Sequence, residues 1–152
     1  MSSPTKTLHN VEQTLNSVIE SLIDGQEGFQ KTGEALKDPI LKHYFLQESL
    51  TRAEFRGELE TVLHQEGVHD IEESGSFSGA LRRTWGDLKA SMGAKDHSLL
   101  ETAEAAEDAA KKAYEDALHN ELPLPIRQLL VTQFAHIQAS HNYVRAARDT
   151  TE

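Results

Sequence analysis

The chain has 152 residues, of which 38% are hydrophobic and 26% charged, a size and composition typical of one globular domain with its own core. Its 15 basic and 25 acidic residues give a net charge of −10, which disfavours binding to nucleic acid. The absence of cysteine excludes disulfides, thiolate metal ligands and a cysteine nucleophile, and no apolar run approaches the roughly 20 residues that span a bilayer.

The first predicted helix is long and contains glycine. Residues 1–6 are predicted to form a flexible tail, and apolar residues then follow helical spacing over residues 8–36. Gly25, Gly28 and Gly33 interrupt this helix, and each weakens a helix interior by about 1 kcal/mol relative to alanine. We therefore expect another helix to pack closely against the glycines, with a break near Gly25 as the alternative.

The second predicted helix begins at an abrupt boundary. Asp38 can cap a helix, and Pro39 is tolerated in its first turn, so that a helix extends from here to about residue 65. The short connection predicts an antiparallel hairpin with the first helix. The beginning of the segment 66–97 is rich in glycine and serine. The whole segment is predicted to form a long crossover that carries its own short helix.

The second half of the chain predicts another hairpin. Ser98 and Glu101 have the spacing of a capping box, which would open a third helix. Prolines between residues 120 and 125 separate it from a fourth helix that ends near Arg148. No strand pattern is present. The sequence thus predicts an all-α fold, in which residues 7–152 form one four-helix bundle of two antiparallel hairpins joined by the crossover, as in ferritin-like proteins.

Charged side chains interrupt the apolar faces of three predicted helices. A buried charge must be paired or hydrogen-bonded, because an isolated one costs several kcal/mol. The pattern therefore predicts an internal polar network of Glu48, Arg52, Glu107, Tyr114 and His141. On the fourth helix His136 is predicted to point away from the bundle.

A metal site is the alternative to this network. Carboxylate-bridged di-iron bundles use a Glu from each of two helices and a Glu-x-x-His motif from each of the other two. In this chain the candidate ligands are Glu27, Glu58, Glu107 and His141. Glu27 and Glu58 are 31 residues apart, as are Glu107 and Gln138. However, Thr61 stands where the first motif needs histidine and Gln138 where the second needs glutamate, so each motif is half lost.

A set of short motifs resembles the ferritin-like superfamily, and within it a small bacterial family of uncharacterised four-helix-bundle proteins. The resemblance extends over residues 15–149, and its motifs are Asp24-Gly-Gln-Glu-Gly-Phe29, Arg52-x-x-Phe55-x-x-Glu58-Leu59, Gly79-x-x-Arg82-x-x-Trp85, Glu107-Asp108 with Tyr114, and His141. It implies a ferritin-like fold and no established activity. The iron chemistry of the superfamily carries over only where ligands match, and Thr61 and Gln138 do not.

Two functions are compatible with these patterns. The first is a non-enzymatic helical bundle with an interaction or stress-related role and no cofactor. The second is an iron- or manganese-dependent oxidase or oxygen-handling protein with a degenerate di-metal site. In either case we expect a cytoplasmic homodimer with no membrane or nucleic-acid partner. The first helix has glycines and Ile23 beside its main apolar face, which leaves surface that one bundle does not cover. We therefore predict that this helix or the crossover lies in the dimer interface.

Overall fold

A computed structural model of the chain describes residues 4–67 and 95–151. Within these ranges there is no strand, and the chain folds into four α-helices. They are α1 (Pro4–Ala35), α2 (Pro39–Gln65), α3 (Asp96–Leu118) and α4 (Leu124–Thr150). The all-α four-helix bundle predicted from the sequence is confirmed, while the short helix predicted in the crossover lies outside the described residues.

Helix α1 is continuous through its glycines. It begins at Pro4, so residues 4–6 belong to the helix and not to the predicted tail. A Cβ atom on Gly33 would lie 2.9 Å from Leu46 Cδ2 of α2, closer than real Cβ contacts allow. A side chain at this position would force Leu46 to shift, so α2 approaches the glycine closely, as the sequence predicted. The alternative of a break near Gly25 is wrong.

The connection between α1 and α2 is fixed by two aspartates. Asp38 caps α2, accepting hydrogen bonds from the backbone N–H groups of Ile40 and Leu41 at 2.8 and 3.1 Å, as predicted. Asp96 of α3 accepts from the backbone N–H groups of Lys37 and Asp38 at 2.9 and 3.0 Å. It thereby ties the start of α3 to the end of α1.

The predicted capping box at Ser98 is wrong. Helix α3 begins two residues earlier, at Asp96, and its N-cap residue Lys95 makes no side-chain capping bond. Ser98 is therefore already inside the first turn. Ser98 and Glu101 have the spacing of a capping box but do not cap the helix. The carboxylate of Asp96, in the first turn, accepts a hydrogen bond from the backbone N–H of Lys37 and does not cap its own helix.

The order of the helices around the bundle follows from their contacts. Helix α1 packs against α2 and α3, and α4 packs against the same two helices, whereas the backbones of α1 and α4, and those of α2 and α3, are not adjacent and lie on the diagonals. Neighbouring helices are antiparallel: Asp96 at the start of α3 meets the end of α1, and Tyr44 near the start of α2 stacks on Tyr143 near the end of α4.

This order requires one long connection. Helix α3 starts at the end of the bundle where α2 also starts. Because α2 has 27 residues, its last residue, Gln65, is about 40 Å from Asp96 along the bundle axis. The connection also joins diagonal helices. A bundle with one such crossover has the connectivity of ferritin-like folds and not that of a simple up-down bundle.

Two hydrophobic clusters form the described core. The cluster at the end where α1 meets α2 contains Phe29, Leu36, Leu41, Phe45, Leu99, Leu100, Ala103, Ala106 and Val144. The cluster at the opposite end contains Leu15, Val18, Ile19, Leu22, Leu59, Leu63, Ala110, Tyr114, Ala117, Ile126, Leu130 and Ile137. Most of these positions are apolar residues at helical spacing, whereas Ile40, which the same spacing places on the apolar face of α2, is 72% exposed.

A layer of polar side chains lies between the two clusters. Along α3 the change from one cluster to the other comes at Glu107, along α2 at Arg52, and along α4 at Ser140. All three side chains are at most 1% exposed. The candidate site is therefore the middle layer of the bundle.

None of the helices in the described ranges combines the length and apolar character that crossing a membrane requires.

Candidate functional site

The middle layer is built around Arg52. This side chain belongs to α2, one turn after Glu48, and its Nε donates to Glu48 Oε1 at 2.9 Å. Its Nη2 donates to Glu107 Oε1 on α3 at 2.6 Å. Because α2 and α3 are on a diagonal, the guanidinium group bridges the centre of the bundle between two helices whose backbones are not adjacent.

The other two helices complete the surroundings of the guanidinium group. From α1, the Phe29 ring lies under it, with its centroid 4.7 Å from Arg52 Cζ, at a distance suited to a cation–π contact. Gly25 of α1 also faces the guanidinium group, and a Cβ atom there would be in ordinary van der Waals contact with Arg52 Nη1, at 3.6 Å. From α4, Ser140 Oγ lies 3.4 Å from Nη2. Arg52 thus contacts every helix of the bundle.

The fourth member is His136 of α4. Its Nε2 lies 2.9 and 3.0 Å from the two carboxylate oxygens of Glu48, and its ring meets Phe55 edge-on at 5.1 Å. The His136 side chain is 40% exposed, whereas that of Glu48 is 4% exposed. We refer to Glu48, Arg52, Glu107 and His136 as the central charge network.

Burial and pairing compete in setting the pKa values of this network. Burial by itself would lower the pKa of Arg52, but the charges of Glu107 and Glu48 raise it. Burial would likewise raise the pKa of Glu48, yet the hydrogen bond from His136 and the charge of Arg52 lower it below its ordinary value. Burial does raise the pKa of Glu107, against the opposing charge of Arg52.

Two predicted members of the network have other partners. The hydroxyl of Tyr114 donates to Gln133 Oε1 at 2.8 Å, and Gln133 Nε2 donates to the backbone oxygen of Phe55 at 3.0 Å. His141 Nε2 lies 2.7 Å from Asp108 Oδ1. Burial raises the pKa of Tyr114, which keeps its hydroxyl a donor. The structure therefore brings Glu48, Arg52 and Glu107 together and gives Tyr114 and His141 separate contacts.

The prediction that His136 points away from the bundle is wrong. On an ideal helix this residue is about 100° from Ile137, at the margin of the apolar stripe of α4. That margin faces α2, so the imidazole reaches Glu48 across the interface. The sequence carried no signal for this contact. Gln133 and Ser140, both 1% exposed, were also missed, since neither is charged.

The four candidate metal ligands do not converge. Glu27 is exposed and pairs with Lys31 at 2.6 Å, because it lies beside the buried face of α1 that carries Gly25 and Phe29. Glu58 is also exposed on α2. Among the residues whose side chains the structure describes, no three His, Asp or Glu side chains are gathered as a shared ion would require. The described residues therefore do not fit a di-metal centre, and a guanidinium group occupies the space between the buried carboxylates.

A family profile described as Domain of unknown function (DUF2383) matches residues 10–120. The chain belongs to this family. The matched region includes Glu48, Arg52 and Glu107, whereas His136 lies beyond it on α4. The family description assigns no activity. A comparison with curated proteins found no match.

Proposed function

We propose that the protein is a non-enzymatic helical bundle with an interaction or stress-related role in the cytoplasm, and that Arg52 provides the cation at its centre. The observation that carries this proposal is the burial of the Arg52 guanidinium group between Glu48 and Glu107, at 2.9 and 2.6 Å. These carboxylates already have a positive partner, so they do not need a metal ion to offset their burial. The single long connection between diagonal helices supports a place in the ferritin-like superfamily.

Thermal unfolding with and without metal tests this proposal. Neither Fe(II) nor Mn(II) should raise the melting temperature of the wild type, since a ligand stabilises only a folded state that binds it. Glu107→Gln should lower the free energy of unfolding by about 1.5–3 kcal/mol, because it removes a charged partner of buried Arg52. The loss should be the same with metal or with chelator.

The control is Glu27→Gln, which changes another candidate ligand in the same way on the exposed surface of α1. It should leave the melting temperature unchanged under all conditions. Stoichiometric iron or manganese in protein purified without chelator, with a melting temperature that falls on chelation, would instead favour the oxidase or oxygen-handling function.

We further propose that the protein is a homodimer. The crossover, one of the two places predicted for the interface, lies outside the described residues, and among the described helices we place the interface on α4. Between residues 15 and 35 of α1 no large apolar side chain is exposed, so the described part of that helix offers little for a partner to cover. On α4, Leu124 and Val131 are 63% and 52% exposed. They are seven residues apart and thus share one face of the helix. Exposed apolar side chains on one face are typical of a protein interface.

Sedimentation equilibrium at micromolar concentration tests the dimer. The wild type should have the mass of two chains, and Val131→Glu should shift it toward one, since the new carboxylate would be buried without a partner. Gln30→Glu adds the same charge at an exposed position of α1, the helix diagonal to α4, and should leave the mass unchanged. A wild type that stays monomeric over the concentration range would rule the dimer out.

A further inference from the structure

The interface between α2 and α4 differs from the other three helix interfaces. These two helices pack least extensively of the four neighbouring pairs. Beside the apolar side chains that both helices contribute to the two clusters, they have polar and aromatic contacts. These contacts are the approach of His136 to Glu48, the hydrogen bond from Gln133 to the Phe55 oxygen and the stacking of Tyr44 on Tyr143 at 3.8 Å. Polar contacts therefore contribute to holding α2 against α4, together with apolar packing.

Within this interface, His136 connects a buried carboxylate to solvent. Its Nε2 is within 3.0 Å of both Glu48 oxygens, while 40% of its side chain is exposed. A proton can thus reach the imidazole from water without any opening of the bundle. The protonated ring donates to the carboxylate with a full charge, whereas the neutral ring offers one uncharged N–H at most.

The charges that face His136 make its protonation state important. From α2, Glu48 is in contact with the ring and Arg52 lies behind Glu48; from α3, Glu107 lies beyond Arg52; α1 does not pack against α4. With all groups ionised, Glu48, Arg52 and Glu107 sum to one negative charge. A protonated His136 brings the network to neutrality, and an unbalanced buried charge is costly.

We propose that the Glu48–His136 contact is a pH-sensitive clamp between α2 and α4, which tightens when His136 is protonated and loosens when it is neutral. The inference rests on the charge-bridged centre of the proposed function. Its failure would leave the Glu107→Gln result unaffected, so the two can be distinguished. No metal ion and no second copy of the chain is needed for the clamp.

The direction of the pH dependence follows from the two partners. Stability from a histidine that gains an anionic partner is present at low pH and is lost as the imidazole loses its proton, ordinarily between about pH 5 and 8. The pKa of Glu48 is lowered in the folded protein, so its contribution is present above the ordinary glutamate pKa of 4.5 and is lost as the pH falls below it. The clamp should therefore be strongest in mildly acidic solution, between these limits.

Two substitutions separate charge from packing. His136→Gln removes the charge at every pH, and His136→Arg keeps it at every pH. Relative to wild type, His136→Gln should lower the melting temperature at about pH 5.5 and have little effect at about pH 8. His136→Arg should remove the pH dependence and be the more stable protein at about pH 8. His43→Gln, an exposed histidine on α2, should leave the wild-type profile unchanged.

A distance measurement tests the movement itself. The chain has no cysteine, so Gln47→Cys on α2 and Ala139→Cys on α4, both exposed positions, can be spin-labelled selectively. In the wild-type background the distance distribution should be narrow at about pH 5.5 and broader or longer at about pH 8. With His136→Gln it should be broad at both. An unchanged distribution, or a stability difference between wild type and His136→Gln that is independent of pH, would overturn the proposal.

Discussion

Replacement of Arg52 by methionine is expected to lower the free energy of unfolding by about 3–5 kcal/mol, the cost of removing one partner from a buried ion pair. The guanidinium group is 1% exposed, and its removal leaves Glu48 and Glu107 in the core without the cation that balances them. Methionine can fill most of the space but cannot donate a hydrogen bond. Chemical denaturation at neutral pH, followed by circular dichroism, measures the loss.

The matched control is Lys31→Met, which removes the cation from an exposed pair of the same i, i+4 spacing, Glu27–Lys31. Exposed pairs contribute about 0–1 kcal/mol, so the control should be close to wild type. Equal losses for Lys31→Met and Arg52→Met would show that burial of the network has no special energetic consequence, and would contradict the proposed role of Arg52.

Simultaneous removal of all three buried charges is expected to leave the free energy of unfolding unchanged or to raise it. In the variant Glu48→Leu, Arg52→Met, Glu107→Leu no charge is left unpaired, and the three side chains lie between two apolar clusters. Replacing a buried ion network with apolar side chains of similar volume is often neutral or stabilising by about 1–4 kcal/mol, because the desolvation of the ions is no longer required. His136 loses its acceptor but is 40% exposed and can bind water.

Denaturation curves of the triple variant and of Arg52→Met measure this difference. The triple variant should be at least as stable as wild type, although it contains the same Arg52→Met change. A triple variant less stable than wild type would show that the network contributes net stability. With the expected result, we infer that the network instead makes the placement of α2 relative to α3 specific, since Arg52 has to meet Glu48 on its own helix and Glu107 on α3 at the same time.

Some of the structural features behind these expectations could be predicted from the sequence, and others could not. The i, i+4 spacing of Glu48 and Arg52 and the place of Glu107 among small alanines of α3 are periodic patterns along single helices, so their burial could be predicted. The cap at Asp38 is local as well, because its hydrogen bonds reach only to residues 40 and 41. For the same reason the start of α2 was predicted at the correct residue.

Contacts between helices could be predicted less well. The wheel of one helix carries an error of about 20–30° by its ends, because drift from the ideal repeat accumulates. That error is enough to misplace His136, which lies at the edge of the α4 stripe and reaches Glu48 of α2. It also explains why His141 was expected beside Glu107, whereas it lies beside Asp108, one residue further along α3.

The sequence by itself determined the four helices, their order and their apolar faces, because these depend on interactions between residues a few positions apart. Only the tertiary structure decided that Arg52 bridges α2 and α3, that His136 joins them from α4, and that Glu27 and Glu58 remain at the surface. These outcomes depend on how far each helix is rotated and shifted against its neighbours. That rotation is set by the packing of the whole core, so it cannot be predicted from the sequence of any one helix.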